Sequence, residues 1–417
     1  MGIHNRSFEE KEAYYDALDA DESHFVNSND ICTPLGCVKE MVDTIPREFW
    51  QRRNIKVLDC CCGNGNFHSY ILEKTDISNL YFNDINQKRV ENLLRIFGKK
   101  INLTQKDFLT FPEKESYDLV VSNPPYAKFK SGVRVSKNHN MSRDFILKAL
   151  RITKPGGYIL FIAPNNWMSL SDRNVLPKML SSYQFIHLNV NGAKRWFPKV
   201  GSSFTWFILR KVENKNPFVV ENHYVQKGVQ KVQLPKKVGF VPLYCSQISL
   251  DIIAKTINRD GKKYKVETTS YLHRHTKQEF LQEHRDEVYK YRIIHTPTKT
   301  LWSRVPHRFQ NGWKVFLSLS NQYGAFVDNC GMTQSIAFVR CASEKEALRI
   351  KEELSNKVFV YLNNLTRYGN FNNIRILQKF PILETIRLTK IEEDHIDVFL
   401  NLYYYGKQKR YSSDRRK

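Results

Sequence analysis

The chain has 417 residues, 41% of them apolar, which is more than one hydrophobic core usually serves and predicts two domains. Its formal net charge is +23, unevenly spread: residues 215–417 hold 35 Lys and Arg against 19 Asp and Glu, leaving 30 against 23 of the totals 65 and 42 for residues 1–214. No apolar run is long enough to span a bilayer and the polar start Met1-Gly2-Ile3-His4-Asn5-Arg6 lacks a signal-peptide core, so a membrane partner is excluded and a cytoplasmic location expected.

A basic C-terminal half predicts a polyanionic partner, of which nucleic acid is the commonest. The eight cysteines (Cys32, Cys37, Cys60, Cys61, Cys62, Cys245, Cys330, Cys341) form no succession of Cys-x-x-Cys pairs. Zinc is therefore not expected, and the thiols read as reduced and mostly structural.

In chain order, residues 8–20 predict a short helix. Thr33 is placed to cap a second helix carrying Pro34 in its first turn, with Val38, Met41 and Val42 as its apolar face. Ile55 to Asp59 reads as a strand, followed by Cys60-Cys61-Cys62-Gly63-Asn64-Gly65 and a helix containing Tyr70, Ile71 and Leu72. Glycines at 63 and 65 let backbone pass close to a ligand. The third glycine of a dinucleotide fingerprint and the Lys-Ser/Thr of a phosphate loop are both missing. An acid at Asp59 suits a cationic or hydroxyl-rich ligand better than a pyrophosphate.

Tyr81 to Asp84 closes a second strand, and Asp84 lies about 20 residues past the glycines, where open α/β sheets place an acceptor for ribose hydroxyls. A helix over 87–97, a third strand ending near Asp107-Phe108 and a fourth strand over Tyr117–Ser122 follow. That fourth strand runs into Asn123-Pro124-Pro125-Tyr126. The prolines end the ladder and fix φ, and Asn123, preceding Pro124, is pushed toward an extended conformation. This stiff corner presents a carboxamide, a backbone carbonyl and an aromatic ring, the groups needed to hold a planar base and draw on an exocyclic amine. Asp59, the glycines, Asp84, Asp107-Phe108 and Asn123 to Tyr126 all fall at carboxyl ends of predicted strands, where doubly wound sheets bind ligands.

Lys128, Lys130, Arg134 and Lys137 make a basic loop, and a helix is expected over Ser142–Thr153. Lys154-Pro155-Gly156-Gly157 reads as a turn before a fifth strand over 158–163. Sixth and seventh strands are expected over 185–190 and 203–209. The fold class is therefore α/β, a Rossmann-like seven-stranded sheet over residues 1–213, with Asn214 to Pro217 as a boundary. Residues 214–417 are expected to form a mixed α+β domain with a basic tail at Lys407–Lys417. Between 272 and 315, His273, Arg274, His275, Tyr289, Lys290, Tyr291, Arg292, Trp302, Arg304, His307, Arg308, Trp313 and Lys314 interleave charge with aromatic surface, which suits phosphate contact plus stacking. Glu344 to Asn364 reads as one helix with a core face.

These motifs, in this order, resemble the S-adenosylmethionine-dependent DNA amino-methyltransferases, specifically the gamma arrangement of the adenine-N6 class. The resemblance covers residues 25–211; residues 315–385 resemble the recognition domains of such enzymes only loosely. It implies S-adenosylmethionine as cofactor and double-stranded DNA as partner, with the target adenine flipped out of the helix. It implies that Thr33 closes over the methionine part of the cofactor and that Asp59, Gly63 and Gly65 line its amino-acid and sulfonium end. Asp84 would accept from the ribose, Asp107 and Phe108 would hold the cofactor's adenine, and Asn123, Pro124, Pro125 and Tyr126 would engage the target base. Phe197, Phe204 and Trp206 are candidates for an aromatic contact with that base. Cys60 departs from the commoner Asp-Pro start of the glycine motif. A cognate restriction nuclease is a partner the resemblance allows; oligomeric state is not implied. The same corner occurs in enzymes that methylate an RNA base or a protein glutamine. An inactive cofactor-binding module that contacts nucleic acid is a further alternative.

Overall fold

Leu119, Val120 and Val121 have no exposed surface in the computed structural model, as expected of a strand covered on both faces. Burying each such side chain contributes roughly 1.5–3 kcal/mol. The structure describes residues 3, 6–21, 31–126, 129–130, 133–134, 141–172, 174–198, 203–222, 228–320, 322–369 and 371–405. The basic tail and Lys128 and Lys137 lie outside the described residues, and Lys130 and Arg134 are described in backbone only.

Two compact units emerge, residues 1–167 with 175–239, and residues 168–174 with 240–417. In the first, the helices are α1 (Phe8–Asp19), α2 (Leu35–Val42), α3 (Asn66–Ile71), α4 (Gln87–Phe97) and α5 (Ser142–Ile152). Strands β1 (Val57–Asp59), β2 (Leu80–Asn83), β3 (Asn102–Thr104), β4 (Tyr117–Ser122), β5 (Thr153–Pro164), β6 (Tyr183–Asn189), β7 (Phe204–Glu213), β8 (Phe218–Asn222) and β9 (Gly228–Val232) form one sheet. Its order is β9-β8-β6-β7-β5-β4-β1-β2-β3. β1 to β5 run parallel to one another, and β7 is antiparallel to both β5 and β6.

The sheet thus has nine strands rather than seven. Val219 and Val220 pair with His187 and Leu188, and β9 then folds back on β8, so the chain stays with the first unit to Gly239 instead of leaving at residue 213. The turn expected at 154–157 is an irregularity inside β5, where pairing skips from Tyr117–Thr153 to Leu119–Tyr158.

Asp118 anchors the start of β4. Its 4%-exposed carboxylate accepts from Lys56 N at 3.0 Å and pairs with Arg52 at 3.0 Å and Lys154 at 2.7 Å. A buried carboxylate needs that many partners to offset its lost hydration.

The second unit is mixed α+β. One four-stranded sheet is built around β12 (Lys314–Ser318), flanked by β13 (Ala325–Asp328) and β14 (Ile336–Arg340). Another is built around the hairpin β10 (Tyr291–Thr296) and β11 (Lys299–Ser303). The helix expected over 344–364 is two, Glu344–Leu354 and Lys357–Leu365. Asn356 interrupts it, its side chain accepting from Val358 N as an N-cap, an alternative that short polar side chains offer the backbone. No described helix is long and apolar enough to cross a membrane.

Candidate functional site

The carboxyl ends of β1 to β4 open onto a cavity of about 350 Å³ in the first unit. Thr33, Gly63, Asp84, Asp107, Phe108 and Asn123 to Tyr126 line it, together with Cys60 to Cys62, Asn83, Arg89, Lys106 and Phe145. Asp59 and Gly65 do not. Two reasons are visible. β1 ends with the Asp59 side chain inward, 1% exposed, behind the wall made by the cysteines. Gly65 has φ +89°, and a Cβ there would lie 2.4 Å from the Phe97 ring; its freedom is spent on packing α4 against the loop. Gly63, at φ +54°, faces the cavity and donates its N–H to Asp84 Oδ2 at 2.9 Å.

Asp59 Oδ1 accepts from Cys61 N at 3.4 Å, and Oδ2 has no partner. Burial, reinforced by the nearby Asp84 charge, pushes the Asp59 carboxyl well above the usual carboxylate range. An orphaned buried acid beside a binding loop fits a ligand carrying positive charge. Asp84 bonds Asn86 N at 2.9 Å through Oδ1 and lies 4.0 Å from Arg89 Nη1. Asp107 is exposed and caps a short turn through Leu109 N at 2.9 Å, while Phe108 is buried and stacks on Phe145 with centroids 5.6 Å apart.

Asn83 was not singled out by the sequence and is the staple of the site. It donates to Cys60 O at 3.0 Å and Lys106 O at 3.1 Å, and accepts from Thr104 Oγ1 at 2.9 Å. One side chain thus ties the ends of β1, β2 and β3. Its position just before Asp84 at a strand end is the signal that could have found it.

Thr33 does not cap α2; Pro34 holds the N-cap position with no side-chain bond. The Thr33 hydroxyl instead accepts from Asn123 Nδ2 at 3.0 Å, and Ile31 O accepts from the same nitrogen at 2.9 Å. Both N–H groups of the Asn123 carboxamide are therefore committed, which sets the amide's orientation and leaves Oδ1 as an acceptor. The Tyr126 hydroxyl donates to that oxygen, and its ring packs 5.5 Å from Phe204. Burial pushes the Tyr126 hydroxyl up, so it stays protonated and donating. Phe197, Phe204 and Trp206 are all buried and line no part of the cavity; Phe204 reaches it only through Tyr126.

Residues 41–197 match the Eco57I restriction-modification methylase family. Over 212 residues the chain is 23% identical to the type II methyltransferase M.HincII of Haemophilus influenzae, covering 47% of this chain and 39% of that one. It is 28% identical over 146 residues to a release factor glutamine methyltransferase of Leptospira interrogans, covering 33% of this chain and 46% of that one. The matches thus span less than half the length of both curated relatives. Among solved structures, the type IIL restriction-modification enzyme MmeI in complex with DNA shares the fold at a TM-score of 0.53 and 10% identity, over 91% of this chain and 69% of that chain. S-adenosylmethionine is the cofactor that the strand-end motifs imply. The residues present fit it: an unpaired buried acid, an acceptor at Asp84, a stacking ring at Phe108 and a glycine at the closest backbone approach.

In the second unit, two of the residues assigned to a binding surface are interior. His307 is 2% exposed and accepts from Phe309 N at 3.0 Å; Lys314 is 1% exposed and donates to Asn311 O and Gly312 O. The hairpin and its neighbours instead show cation–aromatic pairs at the surface: Arg285 over Trp302 at 5.4 Å, Lys290 over Tyr291 at 5.7 Å and Arg308 over Phe309 at 4.7 Å.

Proposed function

We propose that the chain is a DNA methyltransferase that moves a methyl group from S-adenosylmethionine to the N6 amine of an adenine flipped out of duplex DNA. The observation that carries the reading is the Asn123 carboxamide, held at the cavity wall with both hydrogens engaged and its oxygen left as an acceptor. The cofactor, when bound, supplies an electrophilic methyl group on a sulfonium. Thr33, Gly63, Asp84, Asp107 and Phe108 would hold it, with Asp59 buried behind the loop.

The chain's own work is on the amine. Adenine's N6 lone pair is delocalised into the ring. Asn123 Oδ1 and the Pro124 carbonyl would each accept one N6 hydrogen, favouring a pyramidal nitrogen whose lone pair is free to react. Pro125 keeps that corner rigid. Alignment and oriented acceptors matter more here than a strong base, because the reaction moves positive charge rather than creating it. Flipping costs roughly a few kcal/mol. Stacking on Tyr126 would return about 1–3 kcal/mol of it.

Residues 240–417 are proposed as the target-recognition domain, on the strength of the basic charge and the surface pairs of Arg285, Lys290 and Arg308 with aromatic rings. A cognate nuclease would act on the same sites. The test is transfer of labelled methyl to mixed-sequence duplex DNA, followed by nucleoside analysis; N6-methyladenine is expected. The likeness to glutamine methyltransferases supports a second reading. Label in protein glutamine and none in DNA would favour it. DNA binding should weaken steeply with salt, and a flat dependence would remove the argument from charge.

A further inference from the structure

Asp19, at the end of α1, touches neither the cavity nor any residue assigned above to the target base, yet two hydrogen bonds tie it to the glycine loop. Its Oδ1 accepts from Asn64 Nδ2 at 2.8 Å and its Oδ2 from Asn66 Nδ2 at 2.7 Å. Asn66 Nδ2 also donates to Thr33 O at 2.9 Å, and Thr33 Oγ1 accepts from Asn123 Nδ2 at 3.0 Å. Asn64, Asn66 and Thr33 are 1%, 5% and 4% exposed, so water competes poorly for any of these bonds.

We infer that Asp19 is a positioning residue that couples the cofactor loop to the Asn123 carboxamide, an inference that rests on the methyl-transfer reading. A carboxylate suits the place because it only accepts, through two oxygens at once. It takes one amide from each side of the loop, and the second of those amides holds the backbone whose hydroxyl side chain orients Asn123. Filling the cofactor cavity therefore stiffens the acceptor that meets the target amine. Asparagine has nearly the same shape but only one acceptor, and its own amide would confront a neighbouring N–H.

The experiment is a double-mutant cycle on the full chain: parent, Asp19→Asn, Thr33→Val and the pair. Methyl transfer to duplex DNA gives kcat and KM, and calorimetry with S-adenosylmethionine gives Kd and the number of competent sites. Asp19→Asn alone should lower kcat per competent site about tenfold, and less than about threefold in the Thr33→Val background, because neighbours in one network do not add. Equal losses in both backgrounds, or a loss only in the number of competent sites, would overturn the coupling and leave Asp19 a structural clamp. If Asp19→Asn does not fold, Asn66→Ser breaks the same path from its other end and is read the same way. If the parent binds cofactor but methylates no DNA, the functional reading fails by itself. The four Kd values then still decide the coupling: non-additive changes support it and additive ones refute it.

Discussion

Replacing Asn123 with alanine separates chemistry from binding. The side chain makes three hydrogen bonds: it donates to Ile31 O and Thr33 Oγ1 and accepts from the Tyr126 hydroxyl. Alanine deletes the acceptor proposed for the target amine, and loss of one oriented hydrogen-bonding group of this kind costs about 10²–10³ in rate. It also strands three partners at a part-buried position, which should lower stability by about 1–3 kcal/mol. Asn123→Asp keeps the size and the acceptor but turns a second oxygen toward the Ile31 carbonyl, so it should lose rate by disorienting the group rather than deleting it. Transfer of labelled methyl to duplex DNA under single-turnover conditions gives the rate, calorimetry with S-adenosylmethionine gives the affinity, and thermal melting gives the stability. The expected pattern for alanine is a rate down at least about a hundredfold with cofactor affinity within about threefold. A near-parental rate would refute the acceptor role. An equal loss of cofactor affinity would show that Asn123 serves the cofactor instead.

The two glycines of the loop should respond differently to alanine. Gly65→Ala, with its Cβ 2.4 Å from Phe97 Cε2 and a left-handed φ, should lower stability by about 2–4 kcal/mol in thermal melts, while Gly63→Ala should cost about 1 kcal/mol of stability and chiefly weaken cofactor binding. His68 is fully buried, one ring nitrogen on Tyr81 O at 2.9 Å and the other without a partner, and burial lowers its pKa from 6.5 to about 4. The unfolded chain then binds the extra proton first, so the stability tied to His68 is present above pH 6.5 and lost as pH falls toward 4. Between pH 7 and pH 5 this group alone should cost about 2 kcal/mol, read as a difference in denaturation midpoint that His68→Gln largely removes.

The strand-end motifs were legible in the sequence because each local signal agrees with the next. An apolar run stops, then an acid, a glycine or an Asn-Pro pair follows, and a parallel sheet collects such ends along one edge. What was not legible depended on contacts between distant segments. Nothing near Asp59 says that its carboxylate turns inward behind Cys60 to Cys62. Gly65 looks like a ligand-side glycine until Phe97, on a later helix, is seen against it. Thr33 has every local property of a cap, and loses that role because Asn123, 90 residues on, claims its hydroxyl. Val219 and Val220 read as the start of a new domain because a strand added to a sheet edge carries no local mark of which sheet it joins. In the second unit, His307 and Lys314 looked like surface charge because burial of a polar group with local backbone partners is invisible to composition.

Strand β4 has two ends with unrelated duties. Asp118, with its three partners, sits near the first; the carboxamide of Asn123 sits just past the last, about 17 Å away along an extended chain. Weakening the anchor should loosen the fold without altering the catalytic constellation. Asp118→Asn offers a heat-sensitive form of the protein: normal turnover when cool, measured against the parent, and collapse at a temperature the parent survives. Such a form would let the proposed methylation be switched off in a living cell by warming, with the Asn123 end of the same strand chemically untouched.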